Sequence, residues 1–109
     1  MKLFKFLTGV GLILTAATAV YAADPYPSKS VTMLVPYPAG GLSDAIARIA
    51  SPALSKNLGQ SAVVENLGGA SGSIAAQKVL TAASDGYTLF QGSPNEVILA
   101  PLAMTGVKY

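Results

Sequence analysis

The sequence has 109 residues, 51% of them hydrophobic and 11% charged, with no Cys, His or Trp, which fits one small domain or part of a larger one. Without His or Cys, this stretch offers no thiol nucleophile, His-based triad, structural zinc site or disulfide framework. The net charge of +2 includes Lys2 and Lys5; beyond them Lys29, Arg48, Lys56, Lys78 and Lys108 balance Asp24, Asp44, Glu65, Asp85 and Glu96, so no cluster of Lys or Arg marks a nucleic-acid partner.

Met1 to Ala22 has two lysines, an apolar stretch and a Val20-Tyr21-Ala22 end. This is the layout of a cleavable secretory signal peptide, with residues 23–109 as the mature part, free in the compartment beyond the membrane. The apolar run from Phe6 to Val20 is short for a membrane span, which needs about 20 residues.

After a Pro-rich lead-in, Val31 to Val35 is apolar, β-branched and stopped by Pro36, which predicts a buried strand. The loop Pro36 to Gly41 follows. Leu42, Ala45, Ile46, Ile49, Ala53, Leu54 and Leu58 then fall at helical spacing and predict the buried face of a helix, with Ser43 or Asp44 as cap and Gly59 as stop. Pro52 predicts a kink there or the opening of a second short helix. The pattern recurs with Ala62 to Asn66 as strand, Gly68 to Gly72 as loop and Ser73 to Ala83 as helix. Asp85-Gly86 turns into a third strand, Tyr87 to Gln91, and Glu96 to Met104 reads as helical until Pro101. The order β-α-β-α-β predicts an α/β fold with a parallel sheet and right-handed crossovers.

In such a sheet the loops that leave strands for helices share the carboxyl edge, where ligands bind. Here they are Pro36 to Ser43, Leu67 to Ser73 and Gly92 to Asn95, built mainly from Gly, Ser, Pro and Asn. Glycines permit close backbone approach, and a helix start favours an anion. Each loop also has a purely structural reading: the glycine pairs as tight turns, Ser43 and Asp44 as helix caps, Ser93 and Asn95 as caps of the next segment. No dinucleotide fingerprint, P-loop or complete nucleophile elbow is present. Because Lys and Arg are missing from the loops, a carboxylate held by neutral donors fits better than a phosphate.

Tyr26-Pro27-Ser28-Lys29, the stretch Val35 to Gly41 with Asp44, Leu58-Gly59-Gln60, Val63 to Asn66, Gly69 to Gly72 and Asp85 to Leu89 together resemble the tripartite tricarboxylate transporter substrate-binding proteins, the Bug family. The resemblance implies a periplasmic solute-binding protein of the Venus-flytrap, type 2-like class. This chain would form the truncated start of its first domain, with the second domain absent. It implies a mono-, di- or tricarboxylate as ligand, the membrane components of the transporter as partners, no cofactor and no catalysis. The loop Pro38 to Ser43 would grip a carboxylate through backbone N–H groups and bridging waters. By the same resemblance the ligand-binding residues are Pro38, Ala39, Gly40, Gly41, Ser43, Ser71, Gly72, Ser93 and Asn95. Two alternatives are a non-functional remnant of such a receptor and, more remotely, an α/β hydrolase using Ser71, for which the chain supplies no base.

Overall fold

A computed structural model describes residues 24–109. The predicted signal peptide lies outside the described residues. Three parallel strands, β1 (Val31–Val35), β2 (Ala62–Asn66) and β3 (Thr88–Phe90), form a sheet in the order β2-β1-β3. The central strand is paired on both sides, from Val31 opposite Ala62 to Val35 opposite Asn66 and from Thr32 opposite Thr88 to Leu34 opposite Phe90. That position explains its continuous apolar run, since a strand covered on both faces needs no polar alternation. β3 is one residue shorter at each end than predicted, yet the Tyr87 carbonyl and the Gln91 N–H still bond to β1.

Successive side chains of β1 serve opposite layers. Met33 and Val35 cluster with Ala47 of α1 (Leu42–Leu58) and Ala62. Leu34 faces the other way, toward the side on which α2 (Ser73–Thr81) packs against β1 and β3. Ala75 and Ala76, both buried, let α2 lie close to the sheet.

The buried face of α1 differs from the predicted one. Asp44 and Ala47 are buried, and Ser51, Leu54, Ser55 and Leu58 are half-buried in register with them, whereas Leu42 and Ile49 are 79% exposed. The helix is so rich in Ala, Ile and Leu that two of its stripes are apolar. Ser55, a polar member of the inner stripe, is satisfied where it lies: its Oγ donates to the Ser51 carbonyl at 2.7 Å and accepts the Ala62 N–H at 2.8 Å. Asp44 is likewise paired. Pro52 neither ends the helix nor opens a second one, because α1 runs through it to a left-handed Gly59. Pro52 and Arg48 are both exposed, so water can serve the Arg48 carbonyl that proline leaves without an N–H donor.

α2 ends two residues before the predicted Ala83, where Thr81 Oγ1 bonds to the Gln77 and Lys78 carbonyls. The last segment forms a wide helical turn, Asn95–Leu99, that continues into α3 (Ala100–Ala103). Pro101 does not stop it: it sits in the first turn of α3, where a missing N–H is tolerated. Among the described residues no helix is long and apolar enough to cross a membrane.

Two separated stretches of the family-like pattern meet at the amino end of the sheet. The Tyr26 hydroxyl donates to the Gly86 carbonyl at 2.6 Å, and the Ser28 N–H donates to the Tyr87 hydroxyl at 2.8 Å. The Tyr26 and Tyr87 rings meet edge to face with centroids 5.0 Å apart, and Lys29 Nζ lies 4.5 Å from the Tyr87 centroid. This latch ties the lead-in to β3 at the end opposite the loops that lead from strands to helices. Tyr87→Leu is expected to lower unfolding free energy by about 1–2 kcal/mol, the combined scale of an aromatic pair and an exposed hydrogen bond. Denaturant unfolding checks the loss.

Candidate functional site

From β1 the chain proceeds to one side, to β2, and then returns across β1 to β3. The direction of strand order therefore reverses between β1 and β3, and a crevice opens outside the carboxyl ends of strands at such a switch point. At that place lies an open depression of about 450 Å³ lined by Tyr37, Pro38, Ala39, Gly41, Leu42, Ser43 and Ser93. The first and third loops thus form it together. A larger depression of about 510 Å³ lies between α2, from its first residues Ser73 and Ile74 onward, and the segment Gly106 to Tyr109; it includes no residue of the loops that follow β1 and β3.

α1 begins without a side-chain cap, its N-cap being Gly41, and the first helical bond is Ala45 N–H to the Gly41 carbonyl. The N–H groups of Leu42, Ser43 and Asp44 precede that bond and make none to protein among the described residues. Leu42 and Ser43 line the depression, so unpaired donors and the positive end of the helix dipole lie at its wall.

The two glycines of the first loop differ. Gly40 has φ +87° and its N–H donates to Asp44 Oδ2 at 2.8 Å. Gly41 has φ −80°, which any residue adopts, and a Cβ there would only touch the Pro38 carbonyl at 3.5 Å. Its N–H points to the Pro38 carbonyl at 3.4 Å. The glycine amides are thus engaged inside the loop, and the open donors belong to the next two residues.

Asp44 is not the N-cap but sits in the first turn and reaches back to the loop. Its side chain is 5% exposed, and Arg48 Nε donates to both carboxylate oxygens at 3.0 Å. Arg48 Nη2 continues to Asn66 Oδ1 at 3.3 Å, and Asn66 Nδ2 donates to the Tyr37 carbonyl at 3.1 Å. The network fixes both ends of the first loop from beneath. The hydrogen bonds from Arg48 and from the Gly40 amide lower the Asp44 carboxyl from 3.8 to about 2. The depressed folded value means that its contribution to stability is complete above about pH 4 and is lost as pH falls toward 2. Unfolding midpoints measured across that window should fall in the wild type and show a flatter dependence in Asp44→Asn.

In the second loop Gly69 through Gly72 all have positive φ, including Ala70 at +45° and Ser71 at +54°. Two consecutive non-glycine residues in the left-handed region store strain of the kind that persists where the surroundings over-determine it. Ser71 is exposed, but Gly72 is buried beneath Glu96: a Cβ on Gly72 would lie 2.1 Å from Glu96 Cγ. Asn95 ties the loops together, its Nδ2 donating to the Tyr37 hydroxyl at 3.2 Å and the Ser71 carbonyl at 3.4 Å. Of the predicted site residues, Pro38, Ala39, Gly41, Ser43 and Ser93 meet at the depression. Gly40, Gly72 and Asn95 support the loops, and Ser71 lies on the second loop outside the lining set.

The residue that sequence reading missed is Glu96, which is 0% exposed. The Ser93 N–H donates to its Oε2 at 2.5 Å, while Oε1 has no partner among the described residues. Burial raises its pKa, but the nearby Tyr37 hydroxyl and the Ser93 amide outweigh that and hold the carboxyl below its ordinary value. A charge opening an otherwise apolar helical segment, three residues after a loop serine, was the available signal.

An open parallel α/β sheet with unpaired amides beside a depression at its switch point is the arrangement in which such folds bind small ligands. The sequence profile of the tripartite tricarboxylate transporter family receptor matches residues 46–109, and the chain belongs to that receptor family. It is 38% identical to protein BugT of Bordetella pertussis over 95% of this chain and 31% of that protein. It is 47% identical to a protein from the TAR-I ttuE-ttuC' intergenic region of Agrobacterium vitis, over 73% of this chain and 24% of the relative. It therefore spans about a quarter to a third of the length of these curated relatives. Among solved structures it resembles an R. palustris protein with adipate, at 43% identity and TM-score 0.61 over 63% of this chain and 23% of that one. MatC from Rhodopseudomonas palustris with bound malate gives 43% identity and TM-score 0.58 over 60% and 22%.

Proposed function

We propose that this chain supplies one wall of the ligand cleft of a periplasmic receptor that captures a small carboxylate for a tripartite tricarboxylate-type transporter. The observation that carries the reading is the uncapped start of α1, whose free Leu42 and Ser43 amides border a depression at the β1–β3 switch point. A carboxylate there accepts charge-assisted hydrogen bonds from neutral donors and gains from the helix dipole. The relatives solved with adipate and malate support this ligand class.

Residues 23–109 then form the first part of domain one, delivered by a signal peptide at residues 1–22. The opposing wall and the contacts to the membrane components belong to the remainder of the receptor. Calorimetric titration of the intact protein with butyrate, succinate, malate, adipate and citrate should give saturable binding for at least one of them and none for butyramide. Absence of saturation with every acid would refute the reading. Export is tested by amino-terminal sequencing of the periplasmic fraction, which should begin at Ala23.

A further inference from the structure

Glu96 takes no part in the grip described above, yet it lies where the three loops converge. Its side chain fills the space that Gly72 leaves by having none, Cγ standing 2.1 Å from where a Cβ would be. Its carboxylate receives the Ser93 N–H at 2.5 Å. Asn95, the residue before Glu96, donates from Nδ2 to the Tyr37 hydroxyl at 3.2 Å. Tyr37 and Ser93 both line the depression, one after β1 and the other after β3. Glu96 also receives the Tyr109 hydroxyl on its main-chain carbonyl at 2.7 Å, which holds the helical turn that carries it. A buried charge is costly unless it is bonded. The ion pairs among the described residues are Asp44 with Arg48 and Glu65 with Lys78, so loop donors alone compensate Glu96.

We propose that Glu96 is a positioning residue of the carboxylate site: an internal carboxylate that occupies the third loop's amide, sets the separation of Tyr37 and Ser93, and leaves the ligand to be gripped from α1. The inference rests on the carboxylate-binding reading and makes a claim that can fail separately. An external carboxylate competing for the Ser93 N–H would have to displace a covalently tethered one, held at high effective concentration.

The test is amide NMR of the intact protein titrated with succinate or malate. The Leu42 and Ser43 amide signals should shift saturably, while the Ser93 amide, far downfield because of its short bond to a carboxylate, should stay in place. Glu96→Gln should move the Ser93 signal upfield and weaken binding at least fivefold at a temperature where near-ultraviolet circular dichroism shows the variant fully folded. A merely structural Glu96 would lower the melting temperature and leave affinity intact, which would overturn the proposal. Shifts of Ser43 and Ser93 in step would also overturn it while preserving the carboxylate reading. No saturable shift anywhere would remove both. If Glu96→Gln does not fold, the wild-type Ser93 signal still decides the question.

Discussion

Gly72→Ala is expected to cost about 3 kcal/mol of stability in the intact protein. Two penalties act at once. At φ +85° an L side chain pays roughly 1–2 kcal/mol for the left-handed conformation. The new Cβ would also stand 2.1 Å from Glu96 Cγ and 3.0 Å from Oε1, and overpacking of this kind costs typically 1–3 kcal/mol. Glu96 cannot simply swing aside, since its carboxylate is anchored on the Ser93 amide and its main chain on Tyr109. Denaturant unfolding should show the loss as a lower midpoint. Combining Gly72→Ala with Glu96→Ala removes the collision but not the φ strain, so the double variant should be at least about 1 kcal/mol more stable than the sum of the single effects predicts. Strict additivity would mean that the two residues do not meet.

Leu42→Pro should leave the fold intact and abolish most of the binding. Proline is favoured at the first helical position, and the residue before it must be extended. Gly41 already has φ −80° and ψ 175°. The leucine side chain is 79% exposed, so little packing is lost, and a chain stiffened at a compatible site holds its stability or gains up to about 1 kcal/mol. What disappears is the Leu42 N–H. A hydrogen bond to a charged group is worth about 1.5–3 kcal/mol, or roughly 10- to 150-fold in affinity. Calorimetric titration should show that loss for Leu42→Pro, with Leu42→Ala near wild type as the control for the side chain. Wild-type affinity in the proline variant would transfer the grip away from this amide.

Much of the architecture was legible because local chemistry dictates it. Val31 to Val35 read as a buried strand, Gly59 as a helix stop, and the alternation of strands and helices as a parallel sheet whose linking loops share an edge. That the first loop and Ser93 line a common depression follows from this topology, and the ordered motifs carried the family resemblance. Hydrophobic periodicity could not choose between the two apolar stripes of α1. The choice fell to Asp44 and Ser55, whose partners on the loop, the helix and β2 are distant or ambiguous in sequence. Pro52 and Pro101 looked like breaks, and the fold absorbed both, one on an exposed surface and one in a first helical turn. Tertiary structure alone assigned the donors, because whether the amide of Gly40 or that of Leu42 is free depends on where Asp44 reaches. It alone revealed Glu96, since the burial of a charge depends on three loops converging from separate strands, an arrangement that no window of sequence contains.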